Sequence, residues 1–245
     1  MVHPASALRR FRRFAAGHAL RMDVAEAVAR RISTRAFLDT PVPGDVIRRV
    51  LTQASRSPSG GNLQPWHVDV VAGDAMAQFR EMMAEELVEH PRGEPSREYN
   101  VYPPDLASPY LERRFDVGET MYATMGIARE DKKSRGAWYR RNADFFGAPM
   151  ALFLTVDRRM GPPQWADLGM FLQTVMLLLE AEGVQTCAQE YWAAYSKAVG
   201  RFLGLPANRM LFTGLAIGYA DPAHPSNRHR AKRVPLAEFA TFHGV

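Results

Sequence analysis

Apolar positions along the chain alternate between two periods, about 3.6 residues and 2, and that alternation predicts a mixed helix and strand domain. Val24, Ala27, Val28 and Ala29 recur as one face of a helix over residues 24–31 that ends near Ile32. Pro43 and Asp45 open a second helix over 44–55, with Val46, Ile47, Val50 and Leu51 on one side. His67 to Val71 alternates and stops at Gly73, which predicts a strand leading into a helix from Asp74 to about Val88. Helices are expected over 110–127 and 132–143, and the continuous apolar run 150–156 reads as a buried strand. The most apolar helix spans 164–182, interrupted only by Asp167 and Gln173 and too short to cross a membrane. Such a helix belongs at the centre of the domain or in a dimer interface. Short strands are expected at 184–188 and 211–219, and the tail from His224 is loop-like.

Two segments break the periodicity. Residues 57–65 read Ser-Pro-Ser-Gly-Gly-Asn-Leu-Gln-Pro, a composition that specifies a loop with accessible backbone amides. Residues 90–109 are rich in Pro, Glu and Arg and form a long irregular excursion, a length usually associated with lids or contacting arms. There is no internal repeat and no linker, so residues 22–245 are expected to form one domain with a lid-like insert around 90–143.

Composition then narrows the class. At 245 residues, 47% of them apolar, the chain can bury a sizeable core. The single cysteine, Cys187, excludes an internal disulfide and a thiolate zinc cluster, which fits a cytoplasmic protein, and the seven histidines show no metal spacing, so no metal is expected. The net charge of +5 is local: five of the 31 Lys and Arg are Arg9, Arg10, Arg12, Arg13 and Arg21, ahead of the first acid, Asp23. The remaining 26 cations balance the 26 acids, so the body has no diffuse attraction for nucleic acid. Residues 1–21 can be read as a transit peptide, a membrane-surface or nucleic-acid arm, or a flexible basic extension ahead of a domain that opens at Met22; the extension is the expectation carried forward.

Against a neutral body, Arg31, Ser33 and Arg35 stand out. They alternate along an extended stretch just past a helix and so project to one side, where two guanidiniums and a hydroxyl suit a phosphate. On its own this block reads more readily as a solvated Arg pair with Ser33 in a turn. In the 57–66 segment, Gly60 and Gly61 let backbone approach a planar ligand, Asn62 offers a donor and an acceptor, and Pro65 fixes the chain before Trp66. No Gly-x-Gly-x-x-Gly, Gly-x-Ser-x-Gly, Cys-His pairing or paired-carboxylate motif is present, so neither a Rossmann site nor nucleophilic catalysis is indicated. Cys187 and His67 read as structural, and Tyr99, Tyr102, Tyr122, Trp138 and Tyr139 as core or lid aromatics that could border a pocket.

The order Arg-x-Ser-x-Arg-x-Phe, then Pro-Ser-Gly-Gly-Asn-x-Gln-Pro-Trp before a strand, resembles the flavin-dependent nitroreductase family. Further matches are Phe145-Phe146-Gly147-Ala148-Pro149, Thr186-Cys187-Ala188-Gln189-Glu190, and Ala216-Ile217-Gly218-Tyr219 followed by Asn227 to Leu236. The resemblance implies an α+β fold in three layers, a mostly antiparallel sheet flanked by helices, in an entwined homodimer. It implies an FMN cofactor, with Arg31, Ser33, Arg35, Arg230 and Arg233 at the phosphate. Pro58, Ser59, Gly60 and Asn62 would reach the isoalloxazine from the partner subunit, and Gln189 and Glu190 would lie near flavin N5. It further implies NADH or NADPH as transient hydride donor and an electron-poor aromatic as acceptor, in ping-pong order with no catalytic side chain. Within the same fold, reductive dehalogenation and heterocycle oxidation are the neighbouring chemistries. A low-turnover flavin-binding or redox-sensing protein is the alternative of a different class.

Overall fold

A computed structural model describes residues 22–245; the basic segment 1–21 lies outside the described residues. Helix α1 (Val24–Arg30) starts at Asp23, whose Oδ1 accepts the Glu26 amide at 2.8 Å, and stops where Arg31 turns extended. Helix α2 (Gly44–Ala54) buries Ile47, Val50 and Ala54, the face expected from the sequence. Strand β1 (His67–Ala72) leads through Gly73 into α3 (Asp74–Glu89). After the irregular segment come α4 (Tyr110–Thr124), α5 (Lys132–Arg140) and the 3-10 stretch Arg141–Gly147. Then follow β2 (Met150–Asp157), α6 (Pro162–Ala181), β3 (Gln185–Gln189), the 3-10 stretch Glu190–Tyr195, α7 (Ser196–Leu203) and β4 (Arg209–Gly218).

The four strands form one antiparallel sheet in the order β1-β2-β4-β3. Its two faces carry separate cores, because successive side chains point to opposite sides. Met150, Leu152, Leu154 and Val156 of β2 pack with α2 and α6, while Ala151 and Phe153 pack with α3, the 3-10 stretches and α7. A register shift between Leu154 and Thr155 changes the parity of β4, so that Leu211 and Ala216 share one face although five residues separate them. Two close approaches set the spacing of the second layer. A Cβ on Gly214 would lie 2.3 Å from Cδ1 of Trp192, and one on Gly218 would lie 2.8 Å from Cδ of Pro149. These are the three layers and the α+β class expected from the resemblance.

Three local expectations need correction. The helix expected over 132–143 ends at Arg140, because Phe145 and Phe146 take left-handed backbone (φ 54° and 57°) and drop both rings into the core, at 0% and 2% exposure. Burial of two rings offsets a backbone cost of about 1–2 kcal/mol per residue. The helix expected to reach Ile127 stops at Thr124. Helix α7 was not anticipated. Its first amides, Lys197 and Ala198, donate to the Glu94 carboxylate at 2.9 and 2.8 Å, so the cap comes from about a hundred residues upstream, where no local motif shows it.

Candidate cofactor site

The segment after α1 is held extended on both sides. Ser33 bridges in parallel to Thr186 of β3, and Thr34 N–H donates to the Thr186 carbonyl at 2.9 Å. On the other side the C-terminal tail clamps it: the Arg35 amide donates to Oδ1 of Asn227 at 2.9 Å, and Nδ2 of Asn227 donates to the carbonyls of Ala36 and Asp221. Asn227 thus welds the first basic block to the tail. It lies in the tail motif, yet its clamping role has no sequence signature.

This framework gathers Arg31, Ser33, Arg35 and Arg230 around the C-terminal end of α6. The buried Glu180 carboxyl there is pushed above its ordinary pKa by burial, against the opposing pull of Arg30, Arg31 and Arg230. Burial likewise pushes the Cys187 thiol up, opposed by Arg35, Ser33 and Arg31, so Cys187 lies against this cluster as a small buried group. His229 is held below its ordinary pKa by burial and by Arg35 and Arg230, and its Nε2 is buried without a partner. Sequence reasoning passed over His229, which sits one residue before Arg230 in the same motif.

The guanidiniums have few partners. Arg35 Nη1 donates to the Ser33 carbonyl at 3.3 Å, Arg230 Nη1 to those of Asn227 and His229, and Arg233 Nη1 to those of Ala231 and Lys232. Among the described residues, none of Arg31, Arg35, Arg230 or Arg233 has a carboxylate within ion-pair distance. Buried hydroxyls of Thr34 and Thr186 also lack partners. Arginines that converge without a direct ion pair, with only the buried Glu180 carboxyl behind them, beside unsatisfied polar atoms fit an anionic, hydrogen-bonding ligand such as a phosphate ester. Arg233 is exposed and bonded only to its own main chain, so it belongs to the same tail without being drawn into the cluster.

Gln189 closes β3 opposite Gly214 and is 3% exposed. Its Nε2 donates to the carbonyl and Oδ1 of Asn142, both at 3.0 Å, and its Oε1 is buried and unpaired. Glu190 follows at the surface, its carboxyl raised by partial desolvation. Aromatic groups line the approach from this point: Tyr139 packs edge-on to Tyr191 at 5.5 Å, and Tyr191 lies 5.0 Å from Tyr195. Arg135, paired to Glu119, covers the Tyr122 ring at 4.3 Å. Trp138 is buried against Phe146 and stacks on His224, a core role, and Tyr99 packs on Trp165 and Phe212.

The second motif is built elsewhere. Pro58, Gly60, Gly61 and Asn62 are exposed and Ser59 is half-buried in a tight turn, with Gly61, Asn62 and Gln64 in left-handed backbone (φ 58°, 57° and 48°). The Gly60 amide donates to both oxygens of the buried Asp167 on α6, at 3.2 and 3.3 Å, and the Ser59 hydroxyl accepts the Gln64 amide at 3.0 Å. The residues expected to read a flavin ring therefore hang from the N-terminal half of α6. Asp167 and Glu180 are 13 residues apart on that helix, about 20 Å at 1.5 Å per residue. The chain brings Arg31, Ser33, Arg35 and Arg230 together but keeps Pro58, Ser59, Gly60 and Asn62 at the other end of α6.

This geometry defines an α+β protein with a cluster of arginines between β3 and the C-terminal tail. The chain belongs to the nitroreductase family, whose model matches residues 28–219. It is 34% identical over 223 residues to a 4-nitrobenzoate reductase of Nocardioides sp., covering 89% of each chain. It is 35% identical to a chloronitrobenzene nitroreductase of Comamonas testosteroni, covering 86% of this chain and 93% of the relative. Among solved structures, the FMN and NADPH-dependent nitroreductase NfnB from Sphigopyxis sp. strain HMH is 47% identical, with a TM-score of 0.87 over 91% of this chain and all of that one. The FMN-dependent NfnB from Mycobacterium smegmatis, solved with NADPH, is 32% identical with a TM-score of 0.83, over 90% of this chain and all of that one.

Proposed function

We propose that the protein is an FMN-dependent NAD(P)H oxidoreductase that reduces nitroaromatic acceptors. The observation that carries this reading is the cluster of Arg31, Ser33, Arg35 and Arg230, cationic and without carboxylate partners, at the edge of β3 in a chain of the nitroreductase family. The 4-nitrobenzoate and chloronitrobenzene reductases among its relatives support nitro reduction over dehalogenation or heterocycle oxidation.

In this reading the residues divide the work. Arg31, Ser33, Arg35 and Arg230 would hold the phosphate through charged hydrogen bonds, while Arg233 stays outside the cluster on the exposed tail. The flavin supplies hydride acceptance and donation, which no side chain here can provide. Gln189, locked by Asn142, fixes the edge of β3 beside the ring, and Glu190 turns the chain away from it. Tyr122, Tyr139 and Tyr191, neutral phenols at working pH like any tyrosine, would present ring faces and hydroxyl donors to an aromatic acceptor.

The active unit is a homodimer. The 20 Å scale separation along α6 keeps the 57–62 loop from its own Arg cluster, whereas two α6 helices packed antiparallel about a two-fold axis place one loop beside the partner's cluster. Gly169 and Met170 lie exposed on the outer face of α6, where such packing requires small and apolar groups. No described helix is long and apolar enough to cross a membrane.

The test is spectroscopic. Purified protein should be yellow, release FMN rather than FAD on heating, lose its flavin absorbance when NAD(P)H is added anaerobically, and regain it with a nitroaromatic acid. Colourless protein that takes up no added FMN would sink the assignment. Bound flavin that NAD(P)H cannot bleach would favour the binding-protein alternative.

A further inference from the structure

At the opposite end of β4 from the Arg cluster lies a second cationic site. A cleft of about 420 Å³ opens between the irregular segment, the start of α7 and the turn before β4. Its walls carry Arg97, Arg158, Lys197 and Arg209, with Leu205 and Pro206 as an apolar side. Arg158 is spent on Glu98, with which it forms two bonds at 2.6 and 2.8 Å, and on the Ala207 carbonyl. Glu94 is spent on the amides of α7. Among the described residues, Arg97, Lys197 and Arg209 have no carboxylate within ion-pair distance.

Arg209 is the telling group. It lines the cleft with no carboxylate partner, and its Nε and Nη1, shielded from solvent, reach no protein acceptor, so its charge is uncompensated within the protein. The cleft also lies at a definite distance from the proposed ring site. Arg209 is five residues along β4 from Gly214, the partner of Gln189, or about 17 Å at 3.3 Å per residue. Packed rings lead from Gln189 toward the cleft: Tyr191 packs on Tyr139 at 5.5 Å and lies 5.0 Å from Tyr195, which directly precedes Ser196 and Lys197 of the cleft wall.

We propose that this cleft seats the adenosine 2′-phosphate end of NADPH, with Arg209, Lys197 and Arg97 holding the phosphate and Leu205 and Pro206 flanking the adenine. The inference rests on the FMN reading above and names its electron donor. An extended dinucleotide with its nicotinamide at Gln189 spans a gap of this order. Three unpaired cations match a terminal phosphate dianion, which NADPH carries at this end and NADH lacks. The cleft therefore selects between donors without a Rossmann motif.

The experiment uses the FMN-loaded enzyme with NADPH and NADH as alternative donors at a fixed nitroaromatic concentration. In the rim double variant Arg97→Gln with Lys197→Gln, and separately in Arg209→Gln, KM for NADPH should rise about tenfold or more at unchanged kcat. KM for NADH should not move. Adenosine 2′,5′-bisphosphate should compete with NADPH in the native enzyme and lose that ability in the variants, while adenosine 5′-monophosphate competes in neither. Equal use of both donors by the native enzyme, or unchanged NADPH preference in the rim variant, would overturn the inference while leaving the FMN reading intact. Protein that takes up no FMN would overturn both.

Discussion

At the residue scale, the paired arginines and the glycine under Trp192 do different jobs and should fail differently. Arg31 and Arg35 carry no structural ion pair, so removing both guanidiniums costs ligand contacts and little fold. At roughly 1.5–3 kcal/mol for each charged hydrogen bond, Arg31→Ala with Arg35→Ala should weaken FMN binding about a hundredfold or more, read as flavin fluorescence quenching on titrating apoprotein. The thermal midpoint of the apoprotein should stay close to that of the native chain. Stoichiometric FMN in that double variant would show the phosphate assignment to be wrong. Gly214→Ala reverses the pattern. Its Cβ would fall 2.3 Å from the Trp192 ring, so the ring and β4 must part, at about 1–3 kcal/mol of stability read from the denaturant midpoint. An unchanged midpoint would mean that Trp192 does not rest on β4 as described.

At the element scale, α6 carries a buried carboxylate toward each end, Asp167 under the loop and Glu180 under the arginines. Burial raises the folded-state pKa of Glu180 above its unfolded value, so between the two values the folded chain binds the extra proton. Stability is therefore lost as pH rises through that window. Glu180→Gln cannot ionise and should escape the loss: the apoprotein variant should melt above the native chain at pH 7, and the two should converge below the ordinary glutamate pKa of about 4.3. A gap that does not change with pH would exclude ionisation as its cause. The same helix shows what sequence could and could not disclose. Its apolar run, the strands at 67, 150 and 211 and the Gly-Gly-Asn turn were legible because each depends on local periodicity or on residue conformational freedom. Helix α7, capped by Glu94, and the left-handed Phe145-Phe146 turn were not, because their partners are distant in the chain or are bought by burial. The Arg cluster was legible as a motif; the Asn227 clamp, His229 and the basic cleft at Arg209 were not, since no spacing encodes them.

At the scale of the whole molecule, the separation of the two motifs along α6 makes a prediction that no single-chain site shares. Let one chain carry Arg31→Ala with Arg35→Ala and another carry Asn62→Ala with Gly60→Pro, each expected to bind FMN poorly as a homodimer. In a mixed dimer with composite sites, one site combines both defects and the other combines the intact arginines of the second chain with the intact loop of the first. Coexpression with two affinity tags should therefore yield a heterodimer holding one FMN per two chains, with activity per flavin equal to that of the native enzyme. If each chain built its site alone, every site in the mixed dimer would carry one defect and no flavin would return. Placing a charge on the exposed outer face of α6, as in Gly169→Glu, should dissolve the dimer and release FMN together, measured by sedimentation and absorbance on one sample. A monomer that keeps its flavin would place the 57–62 loop outside the site and leave the arginines to hold the cofactor unaided.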